Sequence, residues 1–569
     1  MKFLSIHDGH NSTACLMSDG KIVSLVSEER FTNKKNQGGF PYLSLEYILA
    51  ANTIKISDID AFIFPHLVHP IDFAKTYGGH YSYRHFLANL LGYVVPGKIL
   101  GSKALVKLYI SIFSRHRASI IQSYCTKYGI PYKKVYNLEH HSAHRYAALY
   151  GSGFLGKRAP IIIFTLDGSG DGLSSTVVLR EDHQKDRILS ERTSYHSLGE
   201  LYTFVTKMLG MRPGEHEYKV MGLAPYVRSK ESLSVLKKLQ SYYYVDDLGN
   251  IVNNLGFGPF AYNRLRKELQ DERFDNIAAA MQQLFEQLVI KWIRFWLDKT
   301  GARSAVFGGG CFMNSKANML IADLPELSDI FFLPSCGDES TALGGVYYLA
   351  ELYKEKNPEY LTDLYKGPAH TAEHMEESLF KYRAEVIYRK VDDIDSLVAI
   401  LLANGAIVGR FAGSSEWGAR ALGNRSILCR ADVISNLHKL NSAIKGRDFW
   451  MPFAASVIEE DTHKYFSGVS NTKCSFMVQT YRTNPIAREH LIAGLHQYDF
   501  TCRAQIVSKD TAPDYHYLLS KFKELTGMGG VINTSFNLHG APIVGSPSIA
   551  IETLIKSKLD YLALPGYLV

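Results

Sequence analysis

A duplicated α/β fold is predicted by three stretches of this 569-residue chain. In 2–31, KFLSIHDGHNSTACLMSDGKIVSLVSEERF, a β-rich strand reaches Asp8-Gly9, a small polar loop follows, and a second strand turns back at Asp19-Gly20. Asp-Gly between apolar runs is a hairpin signal, because both positions tolerate positive φ. In 160–179, PIIIFTLDGSGDGLSSTVVL repeats the design, its strand ending at Asp167-Gly168. Two unrelated hairpins would leave the same trace. The third stretch, SAVFGGGCFMNSKANMLI at 304–321, argues for duplication: a strand runs into Gly308-Gly309-Gly310 and a helix begins near Asn314. Glycines there let backbone N–H groups approach a phosphate or an adenine–ribose unit, and the helix N-terminus adds a favourable dipole.

Two strand–turn phosphate loops and a glycine-rich nucleoside loop are similar to the duplicated ATPase fold of sugar kinases, Hsp70 and actin. Between them DNIAAAMQQLFEQLVIKWIRFWL (275–297) has the apolar spacing of a buried scaffold helix. In FFLPSCGDESTALGGVYYLA (331–350), Asp338 and Glu339 precede a small-residue helix, either as a cap or as carboxylates offered to a cation. The polar, proline-marked stretch 351–368 reads as a linker. Beyond it, DIDSLVAILLANGAIVGRF gives a helix started by Asp395 and stopped at Gly405, then a strand, and Ser546-Pro547 opens a later helix.

Composition bounds the function classes. The chain is 46% hydrophobic and 21% charged, as in globular proteins with sizeable cores. No apolar run reaches the ~20 residues of a membrane-spanning helix, and MKFLSIHDGHNS turns polar too soon for a signal peptide. Seven cysteines without a CxxC pair fit a reducing cytoplasm and argue against a disulfide framework or structural zinc. The net charge of +7 is unevenly placed: 73–138 contains no Asp or Glu but ten Lys and Arg residues, interleaved with apolar helical segments. This insertion is either a core-packing element with a basic rim or a surface meeting anionic lipid or a lipid-linked substrate. No nucleic-acid-binding motif accompanies the charge, so nucleic acid is not an expected partner.

Chemistry-bearing residues cluster in two places. In NLEHHSAHRYAA (137–148), His140 and His144 are four apart, so on a helix they share one face and could grip one ion, while His141 points about 100° away. In the C-terminal part, SSEWGARALGNRSILCR (414–430) and KGRDFWMPFAA (445–455) set arginines among Gly, Ala and Leu. An arginine fork matches phosphate and carboxylate oxygens, which points to an anion site.

The ordered set IHDGHNSTACL, SEERF, EHHSAH, LDGSGDG, KVMGLAPY, FGGGCFMNSKAN, CGDESTALG, ARALGNRSIL, KGRDFWMPFA and INTSFNLHGAPIV resembles the O-carbamoyltransferases that act on nodulation factors and antibiotics. The resemblance implies a Kae1-like domain of the ATPase fold at 1–350, carrying the basic insertion 73–138, the linker 351–368, and an α/β YrdC-like domain at 369–569. It implies that carbamoyl phosphate and ATP with Mg2+ give carbamoyl adenylate and pyrophosphate in the C-terminal domain. The N-terminal domain then passes the carbamoyl group to a hydroxyl of a sugar, glycolipid or natural product. By motif position, Arg420, Lys445, Arg447, Arg503 and Asn533 would form the carbamoyl-phosphate and ATP site. His140, His144, Asp167 and Asp338 would bind Fe2+ or another divalent transition metal, with Asp171 an alternative to Asp167. Asp8 and His10 of the first loop join Arg420 and Arg447 as expected catalytic residues; His10 would act as general base or only hydrogen-bond a phosphate. Gly168, Lys219, Gly222, Gly309, Gly310 and Asn314 would line the N-terminal nucleotide site. Asp448 and Met451 stand where the family tends to have glutamate and arginine, and Ser414 and Ala419 where it tends to have arginine and proline. The competing reading is a sugar or small-molecule kinase of the same fold. The chain is expected in the cytoplasm, with peripheral contact at the inner face of the membrane through the insertion; oligomeric state is left open, a homodimer being one outcome.

Overall fold

The apolar run PIIIFTL becomes the strand Ile161–Gly170, buried from Ile161 to Leu166, as expected of a strand covered on both faces. The computed structural model describes residues 1–69, 90, 94–181, 186–468, 475–557 and 559–569, the Ala443 and Lys445 side chains excepted. Most of 73–93 therefore lies outside the described residues. Two compact units result, one of residues 1–10 and 55–360, the other of 11–54 and 361–569.

In the first unit, a five-stranded sheet runs in the order Asp329–Phe332, Ser304–Gly308, Ile161–Gly170, Leu173–Arg180, Arg187–Thr193. The first three strands are mutually parallel, and each of the last two pairs antiparallel with the strand before it. The segment 2–138 lays down a similar series of strands. Lys2–His7 comes first, then the antiparallel pair Thr13–Ser18 and Lys21–Ser27, then Ala61–Pro65 parallel to Lys2–His7 and Val135–Leu138 parallel to Ala61–Pro65. This repetition is the duplicated ATPase fold expected from the sequence. The first hairpin turns at Asp19 and Gly20 (φ 49° and 78°), as anticipated. The second turns later than expected. Its strand continues through Asp167-Gly168 with a register shift before Gly170, and Asp171 and Gly172 (φ 48° and 82°) make the turn.

The expected scaffold helix spans Phe274–Thr300 and ends at Gly301, whose φ of 67° suits glycine. Its Trp292 meets Phe164 of the central strand edge-on, centroids 5.0 Å apart. Helices His140–Gly151 and Ser340–Leu352 approach so closely that a Cβ on Gly344 would collide with the Ala143 carbonyl. The described part of the basic insertion is helical at Gly97–Leu100 and Lys103–Tyr128. Along the second helix only Arg117, Ile121 and Cys125 are buried, so its first half turns no residue fully inward.

The second unit is built on an eight-stranded mixed sheet in the order Arg389–Lys390, Tyr567–Leu568, Tyr561–Leu564, Val408–Phe411, Arg425–Arg430, Gly530–Ser535, Ala454–Ile458, Gln505–Val507. Apolar clusters cover both faces, one around Phe411, Ile427 and Ile532, the other around Leu428, Val531 and Phe522. The helix expected to start at Asp395 instead spans Ile394–Ala403 with Asp393 as its cap; Asp395 bonds Arg410 at 2.9 Å. In the polar stretch after Leu352, Leu361 and Leu364 are buried. Ser546 caps Pro547–Lys556 as read from the sequence. Among the described residues no helix is long and apolar enough to cross a membrane, and the six described cysteines are free thiols.

Candidate functional site

In the first unit, Glu139 caps helix His140–Gly151 by accepting the N–H groups of His141 and Ser142, each at 2.7 Å. One turn of this helix then presents the His140 and His144 rings together, their Nε2 atoms 3.0 Å apart. Asp167 arrives from the end of the central strand, 2.9 Å from His140 Nε2 and 3.4 Å from His144 Nε2. Asp338, in the loop before helix Ser340–Leu352, lies 3.9 and 4.0 Å from the same nitrogens. One donor atom from each of the four lies within 4.8 Å of all the others. Both histidines are buried. His141 turns aside to Thr165 Oγ1 at 2.8 Å, as its helical phase requires.

The pocket seeks positive charge. Burial alone would lower the His140 pKa, but the Asp167 bond and the Asp338 charge push it up to about 9. Burial and the charge of Asp167 drive Asp338 up to about 7, against the pull of His140, whereas Asp167 is held well below the carboxylate range by bonds from both histidines, despite its burial. Two imidazoles and two carboxylates also form a donor set that suits a divalent transition metal. His144 has a further partner, Ser340 Oγ at 3.0 Å from its Nδ1, of the kind that orients metal-binding histidines.

The other expected residues of this unit fall around the pocket. Asp171 accepts the backbone N–H groups of Leu67, Val68 and His140, each at 2.9 Å, which makes it a clamp between two segments. Gly168 donates its N–H to Asp167 Oδ1 at 2.7 Å, and a Cβ on Gly310 would stand 2.9 Å from that same oxygen. Gly309 takes φ 97°, where a Cβ would strike the Leu166 carbonyl. Asn314 caps Ser315–Ala322 and exchanges two hydrogen bonds with Gln282. Lys219 and Gly222 lie on the short helix Glu217–Leu223, Lys219 half-buried. Asp8 is locked in a fork with Arg117, at 2.6 and 2.7 Å, with both side chains buried. Burial would raise the Asp8 pKa, but the guanidinium holds it below the usual range. His10 is half-exposed, and its carbonyl accepts from His7 Nε2 at 2.8 Å.

In the second unit Asn533 ties three segments together. Its buried amide donates to the Ala421 carbonyl (3.2 Å), Ser456 Oγ (2.9 Å) and Gln505 Oε1 (2.9 Å). These contacts draw in the loop carrying Arg420 and the strand that follows Arg503. Arg447 donates to Thr534 Oγ1 at 3.1 Å and rests over Phe453, 4.8 Å from the ring centre. Of the five expected residues, Arg447 contacts the neighbour of Asn533, and Arg420 and Arg503 stand one and two positions from residues that Asn533 binds; the Lys445 side chain lies outside the described residues.

Two other arginines in this region are structural. Arg430 pairs with Asp432 and caps the Ala403 carbonyl. Arg425, fully buried, donates to the carbonyls of Ala412, Asn424, Pro368 and Gly413 and lies 3.6 Å over the Phe411 ring. Burial, with Arg30 and Arg410 nearby, lowers its pKa to about 9 although Glu416 opposes this. Glu416 gathers three backbone N–H groups, of Leu422, Asn424 and Arg425, fixing the loop after Arg420.

Sequence reasoning passed over His7 and His66, both buried beside His140, and the inward turn of Arg117. The available signal was position: each histidine closes an apolar parallel strand, FLSIH and AFIFPH, where side chains in this fold meet ligands.

This arrangement, a histidine–carboxylate cluster in the first unit and a second unit built on a mixed sheet, has a counterpart among known families. Residues 2–346 match the carbamoyltransferase N-terminus and residues 399–569 the carbamoyltransferase C-terminus. The chain belongs to the carbamoyltransferase family. It is 28% identical to nodulation protein NolNO of Sinorhizobium fredii (98% of this chain, 79% of the relative). It is 32% identical to nodulation protein NolO of Bradyrhizobium diazoefficiens (76% and 78%). Among solved structures it is similar to full-length HypF in the phosphate- and nucleotide-bound form (13% identity, 63% of this chain and 56% of that one, TM-score 0.34). Another is the activator of the 2-hydroxyisocaproyl-CoA dehydratase from Clostridium difficile with bound ADPNP (14%, 62% and 96%, TM-score 0.30).

Proposed function

We propose that this carbamoyltransferase works in two steps on two pockets, activating its donor at the arginine pocket and delivering it at the histidine–carboxylate centre. The observation that carries the reading is the convergence of His140, His144, Asp167 and Asp338 on one point. It would give the first unit a cation centre of its own, apart from the anion-holding groups of the second.

In the first step, carbamoyl phosphate is cleaved by water to carbamate and phosphate. The carbamate oxygen then attacks the α-phosphorus of ATP and expels pyrophosphate, leaving carbamoyl adenylate; Mg2+ accompanies the ATP. Arg420, Arg447 and Arg503 hold the two anionic reactants against their mutual repulsion. Lys445 is assigned to the same site by motif position. Asn533 fixes the floor through its bonds to Ser456 and Gln505. Enclosure excludes water from the mixed anhydride once it forms.

In the second step, the acceptor hydroxyl oxygen attacks the carbamoyl carbon and AMP leaves. His10 takes the hydroxyl proton, being a half-exposed imidazole in the first loop, and Asp8 with its Arg117 partner holds that loop at its base. Gly168, Gly309 and Gly310 keep backbone close to Asp167, and Lys219 with Asn314 borders the nucleotide. His140, His144, Asp167 and Asp338 would hold a divalent transition metal, Fe2+ in this reading, which would supply Lewis-acid stabilisation of oxygen charge.

The acceptor is a hydroxyl of a sugar, glycolipid or natural product. The basic insertion favours an acceptor at an anionic surface: Lys103 and Lys107 flank the exposed Leu105, Leu108 and Ile112 on the helix half that turns no residue fully inward.

The test is incubation with ATP and carbamoyl phosphate. Pyrophosphate and AMP should form only with both present; ADP as the nucleotide product would mark a kinase and overturn the reading.

A further inference from the structure

The buried histidines His7 and His66 take no part in the steps above, yet they form one line with His140. His140 Nδ1 lies 3.2 Å from His66 Nδ1, His66 Nε2 lies 3.0 Å from His7 Nδ1, and His7 Nε2 lies 2.8 Å from the His10 carbonyl oxygen. The rings of His7, His66 and His140 are at most 3% exposed. Among the described residues the polar contacts of the His66 ring are these two imidazoles, with no carboxylate to balance an imidazolium.

The line has one consistent proton arrangement. A carbonyl only accepts, so His7 Nε2 carries the hydrogen. Neutral His7 then has a bare Nδ1, which accepts from His66 Nε2–H; Thr341 Oγ1 lies 3.1 Å from the same nitrogen and gives its hydrogen to the Asp338 carbonyl at 2.6 Å. Neutral His66 in turn has a bare Nδ1, which accepts from His140 Nδ1–H. His140 is thereby left with Nε2 as its ligating nitrogen, the atom 2.9 Å from Asp167 and 3.0 Å from His144 Nε2.

The backbone is arranged to hold this line. His66 takes φ 115°, a region that side-chain-bearing residues rarely adopt and that persists only where surroundings enforce it. Its N–H donates to the Leu138 carbonyl at 2.7 Å. The Asp171 carboxylate binds the next two N–H groups together with that of His140, tying both ring-bearing segments to one group.

We propose that His66 and His7 are positioning residues: a relay running from the His10 carbonyl fixes the tautomer and ring orientation of His140 so that its Nε2 faces the metal position. This deepens the reading of the centre as a metal site and rests on it.

The experiment uses the full-length metal-free protein titrated with Co2+, followed by its visible absorption, beside 15N spectra of histidine-labelled protein loaded with Zn2+. His140→Ala assigns the resonances and defines binding at this centre. The wild type should show His140 with a protonated Nδ1. His66→Phe should weaken Co2+ on the order of 10- to 100-fold and lose that signature. His66→Gln should fall between, because a carboxamide accepts at one end and donates at the other. Co2+ binding by the wild type that His140→Ala leaves unchanged would overturn the metal reading, and the relay with it. Normal wild-type binding matched by His66→Phe, or a bare His140 Nδ1 in the wild type, would overturn the relay alone. If His66→Phe does not fold, as read from circular dichroism, the wild-type spectrum and His66→Gln decide.

Discussion

The two polar clusters of this chain, around His140 and around Asn533, differ in construction. Around His140 the described side chains are imidazoles and carboxylates meeting one another directly, so the centre is short of positive charge. Around Asn533 the neutral groups Ser456 and Gln505 bond to one another and to its amide, and the Arg447 guanidinium reaches the adjoining Thr534. In the proposed two-step reaction the halves solve separate problems: one would gather anions that repel each other, the other would concentrate cationic charge where oxygen charge develops.

Substitutions that break one pocket and spare the other test this contrast. The largest effect is expected at the centre itself. His144→Ala or Asp167→Asn should lower carbamoyl transfer on the order of 10³-fold, the scale of several kcal/mol of lost Lewis-acid stabilisation. Carbamoyl-phosphate-dependent pyrophosphate release should persist. Next comes Arg447→Ala, which removes the Thr534 contact and one anion donor. Pyrophosphate release should fall ~10²- to 10³-fold, with Co2+ binding at the first centre unchanged; loss of both would merge the two pockets into one.

A smaller effect on turnover but a clear one on stability belongs to the Asp8–Arg117 pair. Asp8→Asn leaves a buried guanidinium without its counter-charge and should cost ~3–5 kcal/mol in denaturant unfolding. The pH dependence has a definite sign. Arg117 holds the folded-state Asp8 pKa below its unfolded value, so its contribution is present above the unfolded pKa, about 3.9, and is lost as pH falls through the folded value. The gap between wild type and Asp8→Asn should therefore narrow below about pH 4; a gap that widens would contradict the pairing. The smallest effect, residue by residue, is expected from exchanging Lys103, Lys107 and Arg115 for glutamine. Use of a glycolipid acceptor should drop about five-fold for each residue exchanged, in line with ~1 kcal/mol per basic residue near an anionic surface, with adenylate formation unaltered. Equal losses would make the insertion a structural element.

Much of the centre was legible because its signals are local. The i, i+4 spacing of His140 and His144 needs only a helix, and the glycines beside Asp167 and before Asn314 mark sharp backbone wherever they occur. What escaped reading depends on distant segments. His66 meets His140 across 74 positions, and Arg117, one of ten basic residues in an acid-free run, finds Asp8 across 109. Counting charge along the chain could not show that one of those cations turns inward. The Asp171–Gly172 turn was missed for a related reason: Asp167-Gly168 has the same dipeptide signal, and only sheet register decides between them. Likewise, Arg425 and Arg430 look like anion ligands by type, yet the terminal nitrogens of Arg425 are turned to carbonyls and Arg430 to Asp432 and a carbonyl.

The most direct test of the division between the pockets is exchange of labelled pyrophosphate into ATP by the Asp167→Asn protein supplied with carbamoyl phosphate. Exchange at close to the wild-type rate, with no carbamoylated acceptor formed, is the predicted result. Exchange reduced as severely as in Arg447→Ala would contradict it.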